Sequence, residues 1–143
     1  MLDRKIGAHV SIAGGLSNAI KNSLDISANC FQIFAGSPRT WARKLFPLAQ
    51  VKEFNQQIKK FKLGPVFIHA LYLVNLASDK KDLREKSYRA LLTDLQNGRK
   101  IHSAGVVVHI GSHQGRGFLS VKTQIIKLIK KLLKNSKICL SLR

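Results

Sequence analysis

Residues 105–115 read GVVVHIGSHQG: three valines run straight into His109, and the chain then breaks into glycine, serine and a second histidine, His113. A short β-branched run with no polar alternation is the pattern of a strand buried on both faces, as in a parallel sheet covered by helices. The same grammar occurs upstream in PVFIHA (65–70), where Val66, Phe67 and Ile68 lead into His69. Two apolar strands that each end on a histidine raise one question, namely what gathers where strands stop.

Working outward from these stretches, the chain alternates strand and helix. Strands are expected at 5–11, 30–35, 65–70, 105–112 and 137–142. Helices are expected at 14–27, with Ser17 as N-cap and Leu16, Ile20 and Leu24 on one face, and at 47–62, with Pro47 early and Leu48, Val51, Phe54 and Ile58 on one side. A long helix is expected at 78–104, capped by Ser78 or Asp79 and weakened at Gly98. The helix at 120–136 is basic and amphipathic, with Ile125, Ile126, Leu128, Ile129, Leu132 and Leu133 on its apolar side and five lysines elsewhere. Such a helix can lie on a membrane, but with strands on both sides it reads as an outer helix with a solvated lysine face. Five strands and four helices of this kind form parallel β/α packing. Two architectures fit: a small open α/β sheet, or the first half of a (β/α)8 barrel, whose full length is about 250 residues.

Composition narrows the function classes. The 143 residues carry 25 Lys and Arg against 7 Asp and Glu, a formal charge of +18. That excess favours polyanions, although a lysine-rich proteome produces the same bias. The N-terminus has no apolar leader and no run reaches the roughly 18–20 residues of a membrane span, so a cytoplasmic chain with no membrane partner is expected. Cys30 and Cys139 lie far apart in strand-like stretches and read as reduced, buried thiols.

In parallel β/α proteins, ligand groups gather beyond the C-terminal ends of the strands. His9 ends the first strand, Arg39 and Trp41 follow the second, His69 ends the third, and His109 ends the fourth with His113 and Arg116 in its loop; His102 falls inside a helix. Neutral imidazole at a strand end is a good metal ligand, although a lone one is as well read as a satisfied polar group. Bridging carboxylates are absent from that rim: Asp3 precedes the first strand, and Asp25, Glu53, Asp79, Asp82, Glu85 and Asp94 fall in helices or their caps. The chain therefore offers histidines to a metal but no carboxylate beside them. Gly14-Gly15 and the loop GSHQGRG (111–117) could meet an anion, but neither matches a nucleotide-binding glycine motif.

The segments IGAHVSIAGGLSNAI (6–20), FQIFAGSPRTW (31–41), HALYLVNLAS (69–78) and VVVHIGSHQG (106–115) resemble endonuclease IV, the zinc-dependent apurinic/apyrimidinic (AP) endonucleases of base-excision repair. The resemblance spans nearly the whole of residues 1–143. It implies a TIM barrel, three clustered zinc ions at the strand C-termini, and hydrolysis of the phosphodiester 5′ to an abasic site in double-stranded DNA. It implies that His69 and His109 bind zinc, that Tyr72 and Leu73 enter the minor groove at the lesion, and that Arg39 inserts near the abasic gap. His9, His113 and Arg116 are secondary candidates. The family barrel is roughly twice this length. Its bridging glutamate is due at or beside the end of ICLSLR (138–143), and its later ligands lie beyond. A two-histidine remnant offers at most one partial zinc site, so the chain alone is expected to be inactive. Three readings follow: a shortened endonuclease IV, one half of a split barrel that self-associates or needs a complementing C-terminal half, or a non-enzymatic basic module that binds nucleic acid. A sugar-acting xylose-isomerase-like fragment is a fourth, against which the Tyr72-Leu73 wedge and the charge both argue.

Overall fold

The computed structural model describes residues 4–136 and the backbone of 140–142. The elements run β1 (Gly7–His9), α1 (Asn18–Asp25), β2 (Cys30–Phe34), α2 (Leu48–Phe61), β3 (Val66–His69), α3 (Lys81–Lys100), β4 (Gly105–Val108), α4 (Phe118–Ser136) and β5 (Leu140–Leu142). The strands form one parallel sheet in the order β1-β2-β3-β4-β5, the arrangement of half an α/β barrel. Of the expected fifth strand, Lys137, Ile138 and Cys139 lie outside the described residues, as do Asp3 and Arg143.

Burial alternates along β2 and β3 and separates two faces, whereas β1 is exposed and β4 buried throughout. Phe31, Ile33, Val66, Ile68, Val106 and Val108 are buried beneath the helices, where they meet Leu16, Ile20, Phe54, Leu91, Leu95, Val121 and Leu132 in one continuous apolar cluster. Burial of such side chains is the main favourable contribution to this sheet–helix layer, at about 1.5–3 kcal/mol each. The opposite face carries Cys30, Gln32, Phe34, Phe67 and His69, all half-buried, since the helices pack against the other face. Cys30 is accordingly a free, half-buried thiol, not the fully buried one expected. β1 and β2 approach so closely that a side chain at Gly7 would have its Cβ 1.8 Å from the carbonyl oxygen of Cys30. Only glycine fits that crossing.

Several sequence expectations are corrected. Ser17 occupies the N-cap position of α1, but its backbone is already helical and its hydroxyl makes no capping bond. The long third helix begins at Lys81 and ends at Lys100. Ser78 and Asp79 precede it, and the Ser78 hydroxyl instead accepts from the Lys80 amide at 3.1 Å. His102 therefore lies in the turn beyond the helix, with a left-handed backbone (φ 52°). β4 ends at Val108, so His109 is the first residue past the strand. Leu24, Leu48, Ile126 and Leu133, expected on buried faces, are exposed. Leu48 lies in the first turn of α2, and Ile126 and Leu133 sit at the margin of the α4 stripe, beyond what α3 covers. The lysines of α4 are all exposed, which matches an outer helix, and Lys131 lies over the ring of Tyr88 with its Nζ 4.8 Å from the centroid. No helix among the described residues is long and apolar enough to cross a membrane.

Candidate functional site

The parallel register brings the strand ends to one rim. His9 pairs with Gln32 across β1 and β2, Phe34 with His69 across β2 and β3, and His69 with Val107 across β3 and β4. The three strand-end histidines consequently stand in a row. The His9 and His69 ring centres are 6.1 Å apart and those of His69 and His109 are 5.3 Å apart. Phe34 wedges between His9 (4.3 Å) and His69 (5.2 Å). Tyr72 closes the cluster, 5.2 Å from Phe34 and 5.6 Å from His69, with both rings roughly edge-on to it. These are the separations of ordinary aromatic packing.

Two local bonds orient the imidazoles. His69 Nδ1 lies 2.6 Å from its neighbour's carbonyl, Ala70 O, and for that contact to be a bond Nδ1 carries the hydrogen. In the neutral tautomer with that hydrogen, Nε2 carries the lone pair a metal takes. His9 Nδ1 meets the side-chain oxygen of Gln32 at 3.2 Å. Desolvation holds the His9 imidazole below its ordinary pKa; the Gln32 bond partly offsets this and the neighbouring His69 adds to it, so His9 favours the neutral form.

Two imidazoles on one tetrahedral zinc, with Zn–N bonds near 2.0–2.1 Å, place their ring centres about 5 Å apart. His69 and His109 have that spacing. The fit stops there. Among the described residues no group of three His, Cys, Asp or Glu side chains could hold a metal. The acidic residues expected in helices or caps are all found there, on α1, α2 and α3 or, for Asp79, just ahead of α3. The described residues therefore supply one edge of a metal site, with the carboxylates left to other groups.

Around this row lie the loops. The loop after β3 carries Tyr72 and Leu73, whose relative exposures are 65% and 38%. Beside it runs the loop after β2, with Arg39 exposed and Trp41 half-buried. The Tyr72 amide donates to Pro38 O at 3.2 Å, which ties the two loops together. The loop after β4 is joined to the loop after β3 through Asn75, whose side-chain amide donates to Ser112 O (3.2 Å) and whose oxygen accepts from Ala77 N (2.9 Å). Gly111, with φ +103°, passes so near Asn75 that a Cβ there would sit 2.0 Å from its side-chain oxygen. A cleft of about 540 Å³ opens at the β1 and β2 ends, lined by His9, Ser11, Phe34, Gly36, Ser37 and Pro38.

The secondary candidates divide. His9 joins the imidazole row. His113 sits in the exposed loop, where its Nδ1 accepts from Gly117 N at 3.1 Å. The Arg116 guanidinium is turned to the backbone, donating to Ala77 O and to His113 O, and acts there as a loop brace.

Sequence reading missed a second polar group beneath the rim. Arg43 and Asp94 form an ion pair at 3.3 Å with side chains only 2% and 0% exposed. Burial raises the Asp94 carboxyl from 3.8 to about 7, against the opposing pull of Arg43. Asn97, also fully buried, donates to Lys44 O at 2.9 Å and accepts from Phe46 N at 2.8 Å. The signal was present: Asp94 falls four residues after Ala90 and four before Gly98, on the buried stripe of α3.

A family model of xylose isomerase-like TIM barrels matches residues 20–138. The probable endonuclease 4 of Haloarcula marismortui is 39% identical over 113 residues, which is 79% of this chain and 41% of that protein. The probable endonuclease 4 of Thermotoga neapolitana is 36% identical over 134 residues, 92% of this chain and 47% of that protein. Among solved structures, endonuclease IV from Thermus thermophilus superposes with a TM-score of 0.84 at 33% identity, over 97% of this chain and 51% of that one. The chain thus spans about half the length of the relatives it matches.

Proposed function

The chain belongs to the xylose isomerase-like TIM-barrel family and is a relative of endonuclease IV, and from that premise we propose that residues 1–143 form the DNA-gripping, histidine-bearing half of an AP endonuclease barrel. The observation that carries this reading is the convergence at one rim of the His69–His109 pair with the exposed Tyr72-Leu73 loop. Tyr72 and Leu73 are apolar enough to take the place of a missing base, and a duplex lacking a base deforms at low cost. Arg39, exposed on the adjoining loop, is placed to insert near the abasic gap. The +18 charge supplies the sequence-independent part of the affinity.

Zinc, held on one edge by His69 and His109, would supply Lewis-acid stabilisation of the phosphodiester and an activated water in a complete barrel. The Ala70 carbonyl orients the His69 imidazole for that purpose, and His9, kept neutral, stands next in the row. Hydrolysis 5′ to the abasic site needs carboxylates that these residues do not provide. Among the described residues β1 forms one edge of the sheet, and that edge and the half-buried face fit the second half of the same barrel architecture, supplied either by a complementing C-terminal half or by a second copy of this chain. Such a role goes with a cytoplasmic location.

The test is binding and incision of a duplex carrying one tetrahydrofuran abasic-site analogue, compared with the intact duplex, with zinc added and with metal removed. We expect preferential, salt-sensitive binding of the abasic duplex and no incision by the chain alone. Tyr72→Ala and Leu73→Ala should each reduce the preference about tenfold, a lost contact of about 1.4 kcal/mol, with little change in stability because both side chains are exposed. Equal affinity of the wild-type chain for the two duplexes would refute the reading.

A further inference from the structure

The 13 residues between β2 and α2 (35–47) have no regular structure, yet they carry Arg39 and the only tryptophan, Trp41. We propose that Arg43, Asp94 and Asn97 form a buried clamp by which α3 positions this loop, and with it Arg39, for contact with the duplex; the DNA part of this rests on the function proposed above.

The clamp has two jaws, both set on α3. Asn97 is the first: its amide bonds Lys44 O and Phe46 N at once, so it replaces the strand partner that an irregular segment lacks. Lys100, three residues on, adds a bond from Nζ to Phe46 O at 3.3 Å. Asp94, three residues earlier, is the second: it holds the Arg43 guanidinium, whose Nη1 donates to Ser37 O at 2.8 Å on the far side of the Arg39 turn. The loop is thus fixed at Ser37, at Arg43, and at Lys44–Phe46, with Arg39 on the arch between them. The link from Tyr72 N to Pro38 O passes that placement on to the Tyr72-Leu73 loop.

Stability alone gives a poor reason for these residues. The Asp94–Arg43 approach is a charge contact and not an aligned hydrogen bond, and both carboxylate oxygens lack a hydrogen-bond donor. Replacing a buried ion pair by well-packed apolar residues is often neutral or stabilising. A buried charge pair therefore fits a segment that must hold one arrangement. Trp41 and Arg43 also line a small hollow of about 180 Å³ against α3, together with Lys86, Arg89, Ala90 and Thr93. The indole thus reads the clamp directly.

The test uses the full chain. Asn97→Ala removes the first jaw. Arg43→Lys keeps the charge beside Asp94 but loses the bond to Ser37. Asn97→Asp keeps an acceptor for Phe46 N. Three readouts are taken: Trp41 emission, amide exchange resolved along the chain, and the ratio of affinities for abasic-analogue and intact duplex. We expect Asn97→Ala and Arg43→Lys each to shift the Trp41 emission and to raise exchange within 37–46, with β3 and β4 protected as in the wild type. The affinity ratio should fall about tenfold, and Asn97→Asp should recover part of each change. Unchanged emission and exchange in both variants, or exchange raised equally throughout the sheet, overturns the clamp. So does a freed loop with an unaltered affinity ratio. A wild-type chain that shows no preference for the abasic duplex overturns the DNA reading instead, and emission and exchange still decide the clamp.

Discussion

Replacing Asp94 by Asn should remove a defined part of the chain's stability–pH profile. Desolvation in the α3 interface raises the Asp94 carboxyl from 3.8 to about 7. The folded chain therefore binds this proton more tightly than the unfolded chain does. Stability contributed by the group is fully present below the unfolded value and is lost as pH rises through the window up to the folded one. Between pH 5.5 and 8 the unfolded carboxyl is already ionised, while the folded one keeps its proton for the first ~1.5 units. At 1.36 kcal/mol per unit, that makes about 2 kcal/mol. Asparagine matches the protonated acid in shape and does not titrate. Urea unfolding of the wild type and Asp94→Asn at pH 5.5 and at pH 8 isolates the quantity, because titrations of distant groups cancel in the double difference. The wild type should lose about 2 kcal/mol more than the variant over that interval. Parallel profiles would mean that Asp94 ionises normally, and the placement of a poorly solvated carboxyl beside Arg43 would be wrong.

Zinc affinity, read by competition with a chromogenic chelator, should fall at least tenfold in His69→Ala and in His109→Ala. His102→Ala, in an exposed turn after α3, should leave it unchanged. Retention in either of the first two variants would rule out a shared ion. Gly111→Ala should destabilise the chain by about 1–3 kcal/mol, because a left-handed backbone and the 2.0 Å approach of Asn75 both oppose a side chain there. An unmoved urea midpoint would contradict that close approach.

How much of this was legible in the sequence depends on the range of the interactions. Short apolar runs such as GVVV and VFI become strands because a strand buried under helices needs nothing else, and their parallel order follows from the helices between them. The histidines at their ends were equally legible, since register in a parallel sheet places successive strand ends on one rim. Helix starts were less so: Ser17 and Ser78 have the chemistry of caps, but Ser17 already lies on helical backbone, and the Ser78 hydroxyl serves a turn three residues ahead of α3. Least legible was the partnership of Arg43 with Asp94 and of Asn97 with Lys44 and Phe46. Those contacts join residues far apart in the chain through an irregular loop, and no periodicity encodes them. A buried-face position filled by Asp or Asn signals that a partner exists without naming it.

The rim and the clamp bear on one another through the loop after β2. That loop lies beside the imidazole row, since Phe34 at its base touches both His9 and His69, and Pro38 within it accepts from Tyr72. Movement of the loop therefore alters the packing of Tyr72 on His69 as well as the reach of Arg39. A metal held by His69 and His109 would act on the same cluster from the other side, by fixing the His69 ring against which Tyr72 rests. The two effects should couple: zinc binding should reduce amide exchange at Tyr72 and Leu73, and Asn97→Ala should weaken zinc binding although Asn97 touches neither histidine. By linkage, zinc binding and ordering of the loop must favour one another by the same factor. Zinc affinity indifferent to Asn97→Ala would separate the two, leaving the clamp to serve Arg39 alone.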